Sequence, residues 1–119
     1  MRALILALTC AALPFAAQAQ AYRAVNELVV VPLNQTDFEV IEARGEGPRG
    51  IWCAAADFAD RNLRMQRDNR VYIKTGRGPS VSGAGRKGVV FTTRAGSVSP
   101  KTSYSVNVNQ PGLGLPVAH

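Results

Sequence analysis

Five stretches of the chain have the hydrophobic pattern of β-strands. Residues 27–33 contain a continuous β-branched run, which is typical of a buried strand, while residues 71–75 and 103–108 alternate apolar and polar positions. In residues 89–93, Val89, Phe91 and Thr93 fall on one face. In residues 38–43, Phe38 and Val40 fall on one face, and Glu39 and Ile41 fall on the other. The predicted strands cover residues 27–33, 38–43, 71–75, 89–93 and 103–108.

Between the second and third strands, residues 51–66 repeat apolar positions with the period of a helix. The repeat predicts an amphipathic helix with one apolar stripe. On this helix Asp57 precedes Arg61 by four residues, and Asp60 precedes Arg64 by four, the spacing and order that favour ion pairs. The stripe contains Ile51, Ala54, Ala55, Phe58, Ala59 and Met65.

The order β-β-α-β-β-β predicts the fold class. We expect an α+β domain, in which an antiparallel sheet of about five strands carries one amphipathic helix on one face. Residues 20–109 form this single domain, and residues 110–119 are predicted to be a flexible C-terminal tail because they are rich in proline and glycine.

Before the domain, residues 1–19 resemble a secretory signal peptide. Arg2 is followed by an apolar run over residues 3–17, and Ala17-Gln18-Ala19 is a small-x-small cleavage site; cleavage after Ala21 is the near alternative. The run is shorter than the roughly 20 residues that span a bilayer, which disfavours an uncleaved anchor. A lipid anchor at Cys10 fits poorly because Thr9 precedes it. We therefore expect a periplasmic or secreted protein with no transmembrane segment after cleavage.

Cleavage leaves Cys53 as the one thiol of the mature chain. A lone cysteine in an exported protein indicates a bridge to a partner, a reactive thiol or an inert buried side chain. A thiol enzyme needs a histidine base or a second cysteine, and the only histidine, His119, ends the predicted tail. The sequence thus predicts no enzyme, no cofactor and no metal site. Cys53 stays a candidate reactive thiol.

Charge is divided unevenly along the chain. Residues 20–60 hold three arginines and seven acids, whereas residues 61–94 hold nine basic residues and one acid. Such a basic segment can meet an anion, although charges on opposite sides of a fold can also serve only solubility. The candidate anion-binding residues are Arg61, Arg64, Arg67, Arg70, Arg77, Arg86 and Lys87.

An exported protein would find such anions in the cell envelope. The candidates are lipopolysaccharide, peptidoglycan, anionic lipid headgroups and an acidic protein. No nucleic-acid partner is expected, because the compartment is wrong and Tyr72 is the only aromatic residue close to the arginines in sequence. Trp52 is a candidate partner anchor, since tryptophan is enriched among binding hot spots, and a core position is its alternative.

Residues 83–88 match the glycine pattern of a dinucleotide-binding turn. That turn requires a following helix, but a strand is predicted here. Gly78 and Gly83 have the spacing of a P-loop, yet Ala84 stands where the lysine must be. These residues therefore predict a basic, flexible loop or a solvated hairpin connection, with no nucleotide site.

Four short segments carry a resemblance: residues 36–42, residues 52–59, Val71-Tyr72-Ile73 and Gly78-Pro79-Ser80, of which Trp52-Cys53-Ala54 is the most specific part. With these motifs the chain resembles small uncharacterised exported proteins of alphaproteobacteria, over residues 28–93. The resemblance implies export but no activity, and it assigns no functional residue. We expect a non-enzymatic binding or structural module of the envelope; the alternative is a thiol-dependent role through Cys53.

Overall fold

The computed structural model describes residues 20–103 and 105–118. The predicted signal peptide lies outside these residues, and in the described part no helix has the length and apolar character needed to cross a membrane. The elements are β1 (Tyr22–Arg23), β2 (Val29–Pro32), β3 (Asp37–Ile41), α1 (Gly47–Asp57), a π-helical turn (Phe58–Asn62), β4 (Arg70–Pro79), β5 (Lys87–Thr92), a 3₁₀ turn (Ala95–Ser97) and β6 (Gly114–Pro116).

The strands form one antiparallel sheet in the order β1-β2-β3-β5-β4-β6. This confirms the predicted α+β class, with its antiparallel sheet and one helix. The sheet has six strands rather than about five, because the short β1 and β6 are added at its two edges. Between them, four of the predicted strands are present as β2 to β5.

The core lies between α1 and one face of the sheet, here called the inner face. Phe38 on β3 packs on Phe58 of the π-helical turn, with ring centroids 4.6 Å apart. It also stacks on Phe91 of β5 at 5.7 Å, and Trp52 of α1 meets Phe91 edge-on at 4.9 Å. Burying these large rings provides much of the stability of a domain this small.

The helix begins earlier and ends earlier than predicted. It begins at Gly47 with Pro48 in its first turn, where the missing proline N–H costs nothing. After Asp57 it continues as a π-helical turn to Asn62, and the backbone of Arg64 is left-handed, with φ 58°. Residues 63–66 therefore lie outside the helix, since a left-handed residue cannot continue it.

The C-terminal part differs from the prediction. The described residues within 103–108 form no strand, and Val106 is 39% exposed. The last strand is β6 instead, within the segment predicted to be a flexible tail; Leu113 and Val117 on either side of β6 are buried. Pro116 is compatible with this strand because β6 lies at the sheet edge, where a missing N–H is tolerated.

The second face of the sheet, here called the outer face, is covered at one end by the loop between β4 and β5. Its residues Ser80, Val81 and Ser82 lie over Glu39 of β3, which is fully buried. The sequence pattern correctly placed Glu39 on the strand face opposite Phe38 and Val40. It did not predict that Glu39 is buried.

Candidate functional site

Two adjoining clefts lie on the outer face beside β4, and together we call them the basic groove. One cleft, of about 510 Å³, is lined by Lys74 and Lys101. The other, of about 390 Å³, is lined by Arg70, Tyr72 and again Lys101. Among the described residues, no carboxylate lines either cleft. The lining of the groove is therefore cationic with one aromatic ring, and of its three cations Lys74 is paired with an acid, Asp37, that lies outside the lining.

β4 places three of these side chains in a row. Val71 and Ile73 are buried in the core, so the alternating residues Arg70 and Tyr72 face outward. Pairing between β4 and β5 shifts register between Ile73 and Thr75, and Lys74 at this irregularity also reaches the outer face, where it contacts Asp37. The strand thus carries a cation on each side of Tyr72.

β6 completes one wall of the groove. Gly114 lies opposite Tyr72, and a Cβ at Gly114 would come within 2.6 Å of Cε2 of the tyrosine ring. Because glycine has no side chain, the ring can lie against the β6 backbone. Arg70 Nη1 donates a hydrogen bond to the carbonyl oxygen of Gly114 at 2.9 Å, which fixes the guanidinium beside the ring.

The three cations of the groove differ in their electrostatic surroundings. Lys74 Nζ donates to Asp37 Oδ2 at 2.6 Å. Burial acts to raise the pKa of Asp37, but hydrogen bonds from Lys74, Thr92, Thr36 and Asn34 outweigh it and lower that pKa to about 2. Arg70 binds a neutral carbonyl oxygen and has no acidic partner among the described residues. The Lys101 ammonium has no polar partner among the described residues, so it is the cation most available to a ligand.

Elsewhere the acids of the first half of the chain are largely neutralised by bases of the second half. Glu42 binds Arg77 through two hydrogen bonds of 2.5 and 3.1 Å, and this contact lowers the pKa of Glu42. Asp57 pairs with Arg61 at 3.2 Å, as its spacing predicted. Asp60 lies 3.9 Å from Arg67 and not beside Arg64, because Arg64 has left the helix.

The seven predicted anion-binding residues are therefore not gathered in one patch. Arg61, Arg67 and Arg77 are held in ion pairs. Arg86 donates to the carbonyl oxygens of Glu42 and Ala43. Of the seven, Arg70 alone lines the basic groove, while Arg64 and Lys87 are exposed without a polar side-chain partner in the described part.

Two further predicted residues have opposite outcomes. Trp52 is 1% exposed, and its Nε1 donates to the carbonyl oxygen of Asn107 at 2.8 Å, so the prediction of a surface anchor is corrected: Trp52 is a core residue. Cys53, one residue on, is exposed and free, which contradicts the buried alternative. A helix that buries position 52 turns position 53 by 100° toward solvent.

Three residues of the groove, Tyr72, Lys74 and Lys101, are not among the site residues that the sequence predicts. Tyr72 and Lys74 could have been found, because placing Val71 and Ile73 on the buried face puts Arg70, Tyr72 and Lys74 on the other. Lys101 could not, since its position depends on the path of the segment before β6. It is held there by its backbone N–H, which donates to the Gly112 carbonyl oxygen at 2.9 Å.

A further open cleft, also of about 510 Å³, lies at the opposite end of the sheet. Its lining carries both positive and negative side chains, unlike that of the basic groove. Arg23, Arg44 and Arg86 line it together with three glutamates, Glu27, Glu42 and Glu46. Most of these groups already bind one another or the backbone, so this cleft offers less uncompensated charge than the basic groove. Within the described residues, no group of three or more histidine, cysteine or acidic side chains could hold a metal ion.

Comparison with protein-family models, with curated proteins and with solved structures finds no match for this chain. The resemblance to exported alphaproteobacterial proteins stays a prediction. The function is therefore inferred from the groove itself.

Proposed function

We propose that this protein is an exported, non-enzymatic binding module that recognises an anionic component of the cell envelope through the basic groove. The observation that carries the proposal is the lining of that groove: Arg70 and Lys101 line it without an acidic partner among the described residues, beside Lys74, which is paired with Asp37. A concave site lined by one sign of charge attracts a ligand of opposite charge.

The charge balance of the whole domain supports the same proposal. Residues 20–119 contain thirteen basic and eight acidic side chains, and five acids are held in ion pairs. Glu39 and Glu46 bind backbone amides, which leaves Asp68 as the acid without a polar partner among the described residues. The surplus of positive charge at the surface is thus not balanced within the fold.

The first test measures binding of the mature chain to lipopolysaccharide micelles and to peptidoglycan fragments. We expect binding near 0.01 M salt that weakens strongly near 1 M, because the Debye length falls from about 30 Å to about 3 Å. Lys101→Ala should weaken binding about tenfold, the effect of losing one charge-assisted contact.

Lys87→Ala is the matched control, because it removes the same charge from an exposed lysine that lines neither cleft. It should change the affinity by less than about twofold. If both variants lose affinity equally, the attraction is nonspecific and the proposed role of the groove is refuted. No binding to either envelope component at low salt would refute the proposed function.

Export needs its own measurement. Fractionation of the producing cell, followed by determination of the mature N-terminus, should find the protein outside the cytoplasm and starting at Gln20, or at Tyr22 for the alternative cleavage site. An intact chain in the cytosol would remove the reason for envelope ligands.

A thiol-dependent role is the second candidate, and the exposure of Cys53 favours it. If Cys53 forms a mixed disulfide with a partner, a higher band on a non-reducing gel should disappear with reductant and in Cys53→Ser. A Cys53 that resists thiol reagents in the folded protein would eliminate this candidate.

A further inference from the structure

We infer that the ligand of the basic groove is a phosphorylated saccharide, whose sugar ring packs on Tyr72 while its phosphate binds Arg70 and Lys101; this assignment rests on the proposed function. The smaller cleft brings these three side chains together. An anion site that served charge alone would not need the flat face of an aromatic ring in its lining.

Tyr72 has the properties of a sugar platform. Its ring is partly exposed in the groove, with Gly114 at one side. Its phenolic oxygen has no hydrogen-bond partner among the described residues, in contrast to Tyr22, whose hydroxyl donates to Asp57 at 2.9 Å. A pyranose has an apolar C–H surface and hydroxyls at its rim, which match a ring with a polar tip.

The rest of the lining fits the hydroxyls of a sugar. Ser97 and Ser99 line the larger cleft, and Thr102 lines the smaller one. None of these three hydroxyls has a hydrogen-bond partner within the described part of the chain. A ligand with several hydroxyl groups can use such donors and acceptors, whereas a small inorganic anion cannot reach all of them.

The spacing of the cations favours an extended ligand. Arg70 and Lys74 are four residues apart on β4, a separation of about 13 Å at the usual strand rise. A sugar ring over Tyr72 would lie in the space between them. A phosphate monoester carries about −1.5 to −2 charges at neutral pH, so it suits two cations, Arg70 and Lys101, better than a carboxylate does.

A membrane surface fits the groove less well. The exposed large apolar side chains, Val25, Leu33, Val81 and Val106, line neither cleft, so the side chains best suited to enter a bilayer lie away from the groove. Single-stranded nucleic acid also combines stacking with phosphate, and it is therefore included as a competing ligand in the test.

The experiment titrates the mature chain by NMR or calorimetry with a phosphorylated glucosamine disaccharide. Parallel titrations use the unphosphorylated disaccharide, a uronic-acid disaccharide, inorganic pyrophosphate and a short single-stranded DNA. We expect the phosphorylated sugar to bind at least about tenfold more tightly than each of the others. Equal or tighter binding of any of them overturns the inference.

Variants of Tyr72 separate the sugar from the charge. Tyr72→Leu should weaken phosphorylated-sugar binding about tenfold and pyrophosphate binding less than about twofold. Tyr72→Phe, which keeps the ring against Gly114, should weaken the sugar complex about threefold and leave pyrophosphate unchanged. If Tyr72→Leu does not fold, Tyr72→Phe decides, and a loss of equal size for both ligands overturns the inference.

The results also distinguish this inference from the proposed function. Binding of pyrophosphate that depends on Lys101 but not on Tyr72 would overturn the saccharide assignment and leave anion binding by the groove intact. Failure of every anion to bind at low salt would refute both.

Discussion

Asp37 and Glu39 lie two residues apart on β3, both face the outer side of the sheet, and both are buried, but their carboxylates are stabilised differently. Asp37 is 5% exposed and binds the ammonium of Lys74. Glu39 is 0% exposed, and the described structure holds no cation beside it. Its oxygens accept hydrogen bonds from the hydroxyls of Ser80 and Ser82 and from the amides of Val81 and Ser82.

The difference shows that a buried carboxylate can be supported by opposite charge or by neutral donors alone. Strand β4 supplies Lys74, so the Asp37 pair depends on the sheet. Every donor to Glu39 comes from the loop after β4, so Glu39 and that loop depend on each other. Gly88 on the neighbouring strand β5 leaves the necessary space, because a Cβ there would overlap the Glu39 carboxylate.

The largest expected effect is at Glu39. Glu39→Ala should lower the free energy of unfolding by about 3 kcal/mol, since it removes four hydrogen bonds to a buried carboxylate and leaves a cavity. Urea denaturation measures this loss. Glu27→Ala, at an exposed glutamate, is the control and should change it by less than about 0.5 kcal/mol.

Glu39→Gln sharpens the comparison because it keeps the shape of the side chain and replaces one of its oxygens by an amide NH₂ group. The NH₂ of the new amide is a hydrogen-bond donor, and it would face the groups that now donate to Glu39. We therefore expect a loss of stability smaller than that of Glu39→Ala. A Glu39→Ala protein as stable as the wild type would contradict the proposed dependence of the loop on Glu39.

The next effect is at Asp37 and depends on pH. Its pKa is about 2 in the folded protein against an ordinary value of 3.8, so the ionised form stabilises the fold by about 2 kcal/mol. Because the folded pKa is the lower one, this contribution is present above pH 3.8 and is lost as the pH falls toward 2.

Asp37→Asn should therefore destabilise the protein at neutral pH and approach the wild type near pH 2. Measuring both proteins across this range isolates Asp37, because the other carboxylates titrate in each. A difference that does not depend on pH would mean that Asp37 acts through packing and not through its charge.

The smallest effect is expected for the exposed pair of Arg77 and Glu42. Arg77→Ala should cost less stability than either change above, since exposed ion pairs contribute little in water. Its loss should also shrink with added salt, whereas the Glu39 effect should not. A salt-independent loss as large as that of Asp37→Asn would show that Arg77 acts by packing.

These contacts show which features of the fold the sequence could predict and which it could not. Alternation placed Phe38 and Val40 apart from Glu39, since the faces of a strand follow from its period alone. The burial of Glu39 depends on a loop more than forty residues away, and local patterns carry no information about such contacts. The uneven charge was visible, but the cross-sheet pairs of Asp37 with Lys74 and of Glu42 with Arg77 require the strand order.

The groove was predictable in part for the same reason. Arg70 was identified from charge, and Tyr72 follows from strand alternation. Lys101 and Gly114 belong to the groove only because β6 pairs with β4. That strand was missed because glycine and proline within residues 110–116 indicated a tail, although Leu113, Leu115 and Val117 alternate as strand residues do.

β6 pairs with Arg70–Tyr72, which lie more than forty positions earlier in the chain. Contacts between such distant residues form late in folding, because the intervening chain must close into a loop before the contacts are gained. The wall beside Tyr72 therefore exists only once the sheet is complete, so a ligand that needs this wall can bind the finished fold but none of its partly folded forms.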